Sequence, residues 1–233
     1  MLKNTLLAGA AVAVLAFASS AHAAAYSWSF TGGNSNDNGS AGNTRNFASS
    51  PAGISLTASA FYATSSSSNI QAAYLGHYSP GLGVTNTWNE DHYVDNGGRI
   101  DLVLFQFSQA IDIDSIILTS YGDADIKVWF GSNFAGGTIN GDFGLTDLGS
   151  FSCNSSCNGN GEVQTYSNVN PLNMTGTYLL IAADPSGDND EFKIRGLAAS
   201  YSPPTTVAEP GTLALLGLGL AGLGAATRRK RSA

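Results

Sequence analysis

Carboxylates arrive in three groups along this chain of 233 residues: Glu90, Asp91 and Asp95 beside Asn96; Asp123 and Asp125; and Asp184, Asp188, Asp190 and Glu191. Hard cations such as Ca²⁺ take about six to eight oxygens from loop carboxylates, amides and carbonyls. The stretch DPSGDNDEF, Asp184 to Phe192, concentrates acid just before an apolar run, where backbone carbonyls are also within reach. Asp184, Asp188, Asp190 and Glu191 are therefore the expected ligands if the chain holds a structural Ca²⁺. Solvated turn residues are the competing reading of the same pattern.

Aromatic side chains in turn-rich segments offer a second chemistry, because sugar rings stack on flat apolar faces with polar groups at the rim. Trp88 in TNTWNEDHY and Tyr74 with Tyr78 in YLGHYSPG stand beside Asn, Asp and His. They are read either as a saccharide platform or as loop anchors folded onto the core. Catalysis is not expected. His92, Asp91 and a serine would complete a nucleophile, base and acid set, but no Gly-x-Ser-x-Gly elbow or His-Glu-x-x-His helix accompanies them. NSNDNG, from Asn34, imitates the start of an EF-hand loop, yet its twelfth position is Arg45 where a bidentate Glu belongs.

The elements that must carry these loops have the period of strands. Tyr26, Trp28 and Phe30 alternate with serines, and the same beat runs through Ile54 to Tyr62 and through Ile126, Val128 and Phe130. These strands are expected to keep one wet face. Trp129 falls out of phase with its neighbours and is expected on the opposite side. IDLVLFQF, Ile100 to Phe107, and YLLIAA, Tyr178 to Ala183, are nearly continuous apolar runs, as central strands covered on both faces are. Further strands are predicted over Ile70–Leu75, Ile111–Thr119, Val163–Tyr166 and Phe192–Leu197. Gly, Asn, Ser and Asp fill the intervals. Some nine or ten strands and no amphipathic helical period predict an all-β domain over 24–201, an antiparallel β-sandwich of the jelly-roll kind.

The two ends read differently from the middle. Lys3, the apolar run Leu6 to Phe17 and the small-x-small sequence Ala21-His22-Ala23 form a signal peptide over 1–23, with cleavage expected between Ala23 and Ala24. SPPTTVAEPG, Ser202 to Gly211, is a Pro-rich linker. Leu213 to Ala226 contains only Leu, Ala and Gly, and as a helix it would extend roughly 24 Å with its flanking threonines. That is short of the ~30 Å hydrocarbon core of a bilayer. Arg228, Arg229, Lys230 and Arg231 follow as a stop-transfer cluster, which leaves everything before Thr212 outside by the positive-inside rule. Between the two ends five cations, Arg45, Arg99, Lys127, Lys193 and Arg195, face all 17 acidic residues. Such a field excludes nucleic acid as a partner. In an exported chain Cys153 and Cys157 are expected to pair, closing a small ring that pins a turn.

Taken together, the tripeptide Ala208-Glu209-Pro210, the short Gly/Leu/Ala helix and the terminal basic cluster resemble the PEP-CTERM sorting signal. The first proline of the usual tripeptide is replaced by Ala208. The resemblance implies processing by an exosortase in a Gram-negative bacterium that secretes exopolysaccharide, with the inner membrane as a transient anchor. The stretch Gly81 to Gly131 is similar to a group of exosortase-dependent surface proteins. Those carry a Gly-x-Gly-Val turn, an Asp-Asn pair and an Asp-x-Asp turn, matched here by Gly81, Gly83 and Val84, by Asp95 and Asn96, and by Asp123 and Asp125.

These readings converge on an exported, non-catalytic protein of the cell surface or extracellular matrix, structural or adhesive, with exopolysaccharide as its expected partner. The alternatives are a Ca²⁺-dependent carbohydrate-binding module and a secreted polysaccharide hydrolase.

Overall fold

The computed structural model describes residues 23–34, 40–86, 92–141, 143–153, 157, 160–187, 189–203 and 217–220. The chain divides into two units. One is Ala23–Ser202; the other comprises Met1–His22 and Pro203–Ala233, of which the described part is Pro203 and a helical turn over 217–220. Among the described residues no helix is long and apolar enough to cross a membrane. The expected signal peptide, all of the basic cluster and most of the tail helix lie outside them.

The Ala23–Ser202 unit is all-β, as the periodicity predicts. Its strands are β1 (Ala24–Ser29), β2 (Thr44–Ala48), β3 (Ser55–Ala63), β4 (Gln71–Ala72), β5 (Tyr74–Tyr78), β6 (Gly81–Thr85) and β7 (Val94–Asp95). They continue with β8 (Ile100–Ser120), β9 (Ile126–Gly131), β10 (Thr146–Phe151), β11 (Glu162–Ser167), β12 (Gly176–Ala183) and β13 (Glu191–Tyr201). Every ladder between them is antiparallel, and all join one sheet with the order β10-β9-β12-β8-β13-β6-β5 along its main path.

β8 organises this sheet. Sequence predicts two strands, Ile100–Phe107 and Ile111–Thr119, separated by polar residues; the structure runs them together as one strand of 21 residues. Its first half pairs with β3 and β12, and its second half with β11 and β13. Both halves turn side chains to one core. Val103, Phe105, Phe107 and Ile111 from the first half and Ile113, Ile116 and Leu118 from the second share a cluster with Trp28, Phe30 and Leu197.

The continuous apolar runs have a second cause. Leu102 and Leu104 alternate away from that core into another cluster with Trp129, Leu180 and Ala182, roofed by Ile139, Phe143 and Leu145. Strands buried on both faces need apolar residues at consecutive positions. Trp129 is thus on the opposite side from Ile126, Val128 and Phe130, as its phase predicts. That face is not wet, however: the indole is fully buried, edge-on to Phe143 at 5.1 Å between ring centres.

Candidate functional site

The end of β8 pairs with the start of β13, Ser120 opposite Phe192. This register brings the turn after β8 against the loop that leads into β13. Tyr121 and Gly122 donate their N–H groups to the Glu191 carbonyl at 2.8 and 3.2 Å, Asp123 donates to Asn189 O at 3.1 Å, and Glu191 donates back to Asp123 O at 2.8 Å. The Asp184 amide, just past β12, donates to Asp125 O at 3.1 Å. Each bond satisfies a backbone group in a segment without a ladder of its own.

Three carboxylates converge there. One oxygen each from Asp123, Asp125 and Asp190 lies within 4.8 Å of the others. Each is held by the protein. Asp123 Oδ1 accepts the Ala124 N–H at 2.8 Å, Asp125 Oδ1 the Cys153 N–H at 2.6 Å, and Asp190 Oδ1 the Asp125 N–H at 2.9 Å. Buried Asn96 ties the loops together: its two Nδ2 hydrogens are shared among Asp190 Oδ2 at 2.6 Å, Asp184 O at 2.7 Å and Gly187 O at 3.0 Å, while its Oδ1 accepts the Asp190 N–H at 3.1 Å.

The electrostatics follow from this crowding. Two unit charges 4.8 Å apart repel by about 3–4 kcal/mol at an effective dielectric near 20. Burial, with the charges of Asp125, Asp123 and Asp184, pushes the Asp190 carboxyl up to about 7, against the pull of the Asp125 amide. The Tyr166 hydroxyl, which donates to Ala124 O at 2.7 Å, is raised by burial and by the same carboxylates. Asp184 moves the other way. Burial raises it, but the hydroxyls of Ser150 and Ser186, the Ser186 amide and Lys127 together outweigh burial and lower it.

The carboxylates expected at the loop before β13 are therefore divided. Asp190 enters the trio, Asp184 stands at its margin with Oδ1 committed to the Ser186 amide and hydroxyl, and Glu191 is exposed at the start of β13. Asp188 lies outside the described residues. Asp123 and Asp125 join from a turn 65 residues earlier than Asp190; an Asp-x-Asp turn directly after a strand was the available signal. The Asn96 bridge had none, apart from the Asp-Asn pair in the family resemblance.

Of the aromatic candidates, Tyr74 and Tyr78 stand at the two ends of β5. Trp88 lies outside the described residues. The Tyr74 hydroxyl meets Arg45 Nη2 at 3.3 Å, and the half-buried Tyr78 ring stacks on His92 with Lys193 Nζ 4.3 Å from its centre. Cys153 and Cys157 are bridged, with Cα atoms 5.8 Å apart. Ala23 is exposed and Ala24 opens β1, opposite Tyr201 of β13. The Gly-x-Gly-Val segment, expected as a turn, forms strand β6; a Cβ added at Gly83 would collide with His92 O, and one at Gly81, at φ +149°, would lie 2.5 Å from Ile194 O.

The deciding comparison concerns the tail. A family model described as the PEP-CTERM protein-sorting motif matches residues 206–230. This chain carries a PEP-CTERM sorting motif. The match takes in Ala208, Glu209, Pro210 and most of the basic cluster, all outside the described residues. The motif implies exosortase-dependent export, as found in Gram-negative bacteria. No curated protein matches the chain. Among solved structures, the allantoicase of Saccharomyces cerevisiae is similar at 14% identity and a TM-score of 0.32, over 53% of this chain and 32% of that one. XRCC1, solved bound to the DNA polymerase beta catalytic domain, is similar at 20% identity and a TM-score of 0.30, over 45% of this chain and 74% of that one. The PEP-CTERM chain thus spans about a third of the allantoicase it matches, and likeness at these scores says nothing of activity.

Proposed function

We propose that this is a non-catalytic protein of the cell surface or extracellular matrix, released from a transient membrane anchor by an exosortase and acting there as a structural or adhesive partner of exopolysaccharide. The sorting motif at 206–230 carries the reading. An acidic, all-β domain built on one antiparallel sheet suits that place, because its function needs a durable fold and a solvated surface. Intact mass of the protein recovered from its native host tests it. A mass lacking residues 1–23 and the tail after the tripeptide is expected; a retained tail overturns processing.

A single Ca²⁺ at Asp123, Asp125 and Asp190 is part of this reading. The donors have the right chemistry, hard oxygens from two loops. Four of the carboxylate oxygens already accept protein N–H groups, but each retains a second lone pair, and water would complete the shell. What supports a cation is the charge imbalance: three carboxylates whose oxygens lie within 4.8 Å of one another repel, and a bound proton or a metal relieves that repulsion. Calorimetry in EDTA and in millimolar calcium separates these, and an unchanged unfolding temperature removes the metal.

A further inference from the structure

β8 crosses from one half of the sheet to the other around Asp112–Ser115, and the crossing is bulged. Ser115 stands opposite Ala198 and Ile113 opposite Ala199, so Asp114 is the extra residue. A bulge re-aims the side chain it inserts. Ile113 is fixed in the core, which leaves Asp112 and Asp114 on the outer face. Beside them a groove of about 320 Å³ is lined by Asp112, Asp114, Ser115, Ser167, Asn168 and Asn173.

The floor is built. Asn170, 2% exposed, donates through Nδ2 to Asp112 Oδ1 at 2.6 Å and to Met174 O at 2.8 Å. This fixes one carboxylate and, with it, the loop that closes the groove. Burial and the neighbouring Asp112 charge raise the Asp114 carboxyl, while the Ser200 hydroxyl lowers it, so the two acids share one local field.

We propose that this groove binds a non-acidic saccharide unit. The inference rests on the matrix-protein reading for its partner class but on its own residues for the site. Carboxylates accept hydrogen bonds from paired sugar hydroxyls, carboxamides both donate and accept, and serine hydroxyls do the same. Such a lining of hydrogen-bonding groups is what a small polyhydroxylated ligand needs, and the volume is at the lower end of small-molecule sites. Among the described residues no cation lines the groove. Two carboxylates therefore turn away uronates, sulfated sugars and phosphates, and leave neutral or amine-bearing sugars.

Isothermal titration of the purified full chain in detergent, with EDTA present, tests this against cellohexaose, a β-linked glucosamine hexamer and hexagalacturonate. At least one of the first two is expected to bind and the third is not. Asp114→Ala, at an exposed position, is expected to weaken binding about tenfold or more with the unfolding transition unchanged. No binding by either non-acidic hexamer overturns the proposal, as does equal binding of hexagalacturonate or binding indifferent to Asp114→Ala. If a hexamer binds wild type and Asp114→Ala equally, the groove is wrong while the matrix reading stands. If the native protein keeps its tail yet Asp114-sensitive binding persists, the reverse holds.

Discussion

Replacing Asp190 with Asn tests whether the carboxylate trio is a source of strain that a proton or a metal relieves. In wild type the folded Asp190 carboxyl is pushed up to about 7 from an ordinary value of 3.8. A folded pKa above the unfolded one means that the folded state binds the proton more tightly. The resulting stability is complete below about pH 4 and is lost as pH rises through about 7. That displacement corresponds to at most about 4 kcal/mol, and Asp190 is 3% exposed, so solvent screens little of it. Other groups titrate as well: Asp184 contributes with the opposite sign below about pH 4, and His77, lowered by burial and by Arg45, loses its penalty as pH rises. Subtracting the variant from wild type isolates Asp190. Urea unfolding in EDTA at steps from pH 4 to 8 is expected to show wild type losing up to about 4 kcal/mol more than Asp190→Asn across that window. Calcium at a hundred times its dissociation constant then returns about 2.7 kcal/mol to wild type at pH 8 and nothing to the variant. Parallel pH profiles for the two proteins would refute the electrostatic argument altogether, and a wild type blind to calcium at pH 8 would leave the proton alone in the site.

Asn96→Ala strips the partners of Asp190 Oδ2, the Asp190 amide and two carbonyls at once, and chemical denaturation is expected to show a loss of about 2–4 kcal/mol. Gly83→Ala places a methyl 1.8 Å from a backbone oxygen, so a cost of about 3 kcal/mol or more is expected from the forced backbone shift, read as a lowered melting temperature. Trp129→Ala empties the second cluster and is expected to cost about 3–5 kcal/mol, while Leu172→Ala, at an exposed tip, is expected to stay within about 0.5 kcal/mol.

Strand identity was legible wherever one residue in two faces the core, as with Trp28 and Phe30 or with Ile126, Val128 and Phe130. In sequence β8 reads as two strands because Ser108, Gln109 and Ala110 are polar or small, the composition of a turn. The ladder instead shifts register between Gly176 and Tyr178 and continues. The roof of the second cluster left no trace, since Ile139, Phe143 and Leu145 are spaced among glycines without a period. The site was half legible for a related reason. Composition locates acid-rich loops, but which loops meet is decided by strand pairing, and the pairing of Ser120 with Phe192 carries Asp123 and Asp125 to Asp190. That contact depends on long-range topology, which residue spacing does not encode.

A strand that belongs to both halves of the sheet denies them separate fates. Detaching β3 and β12 from the first half of β8 strips the shared core from the second, so the domain has no inexpensive route to partial opening. Amide protons along β8 would then trade with deuterium only when the whole unit lets go, giving an exported chain few half-open forms for a protease to seize.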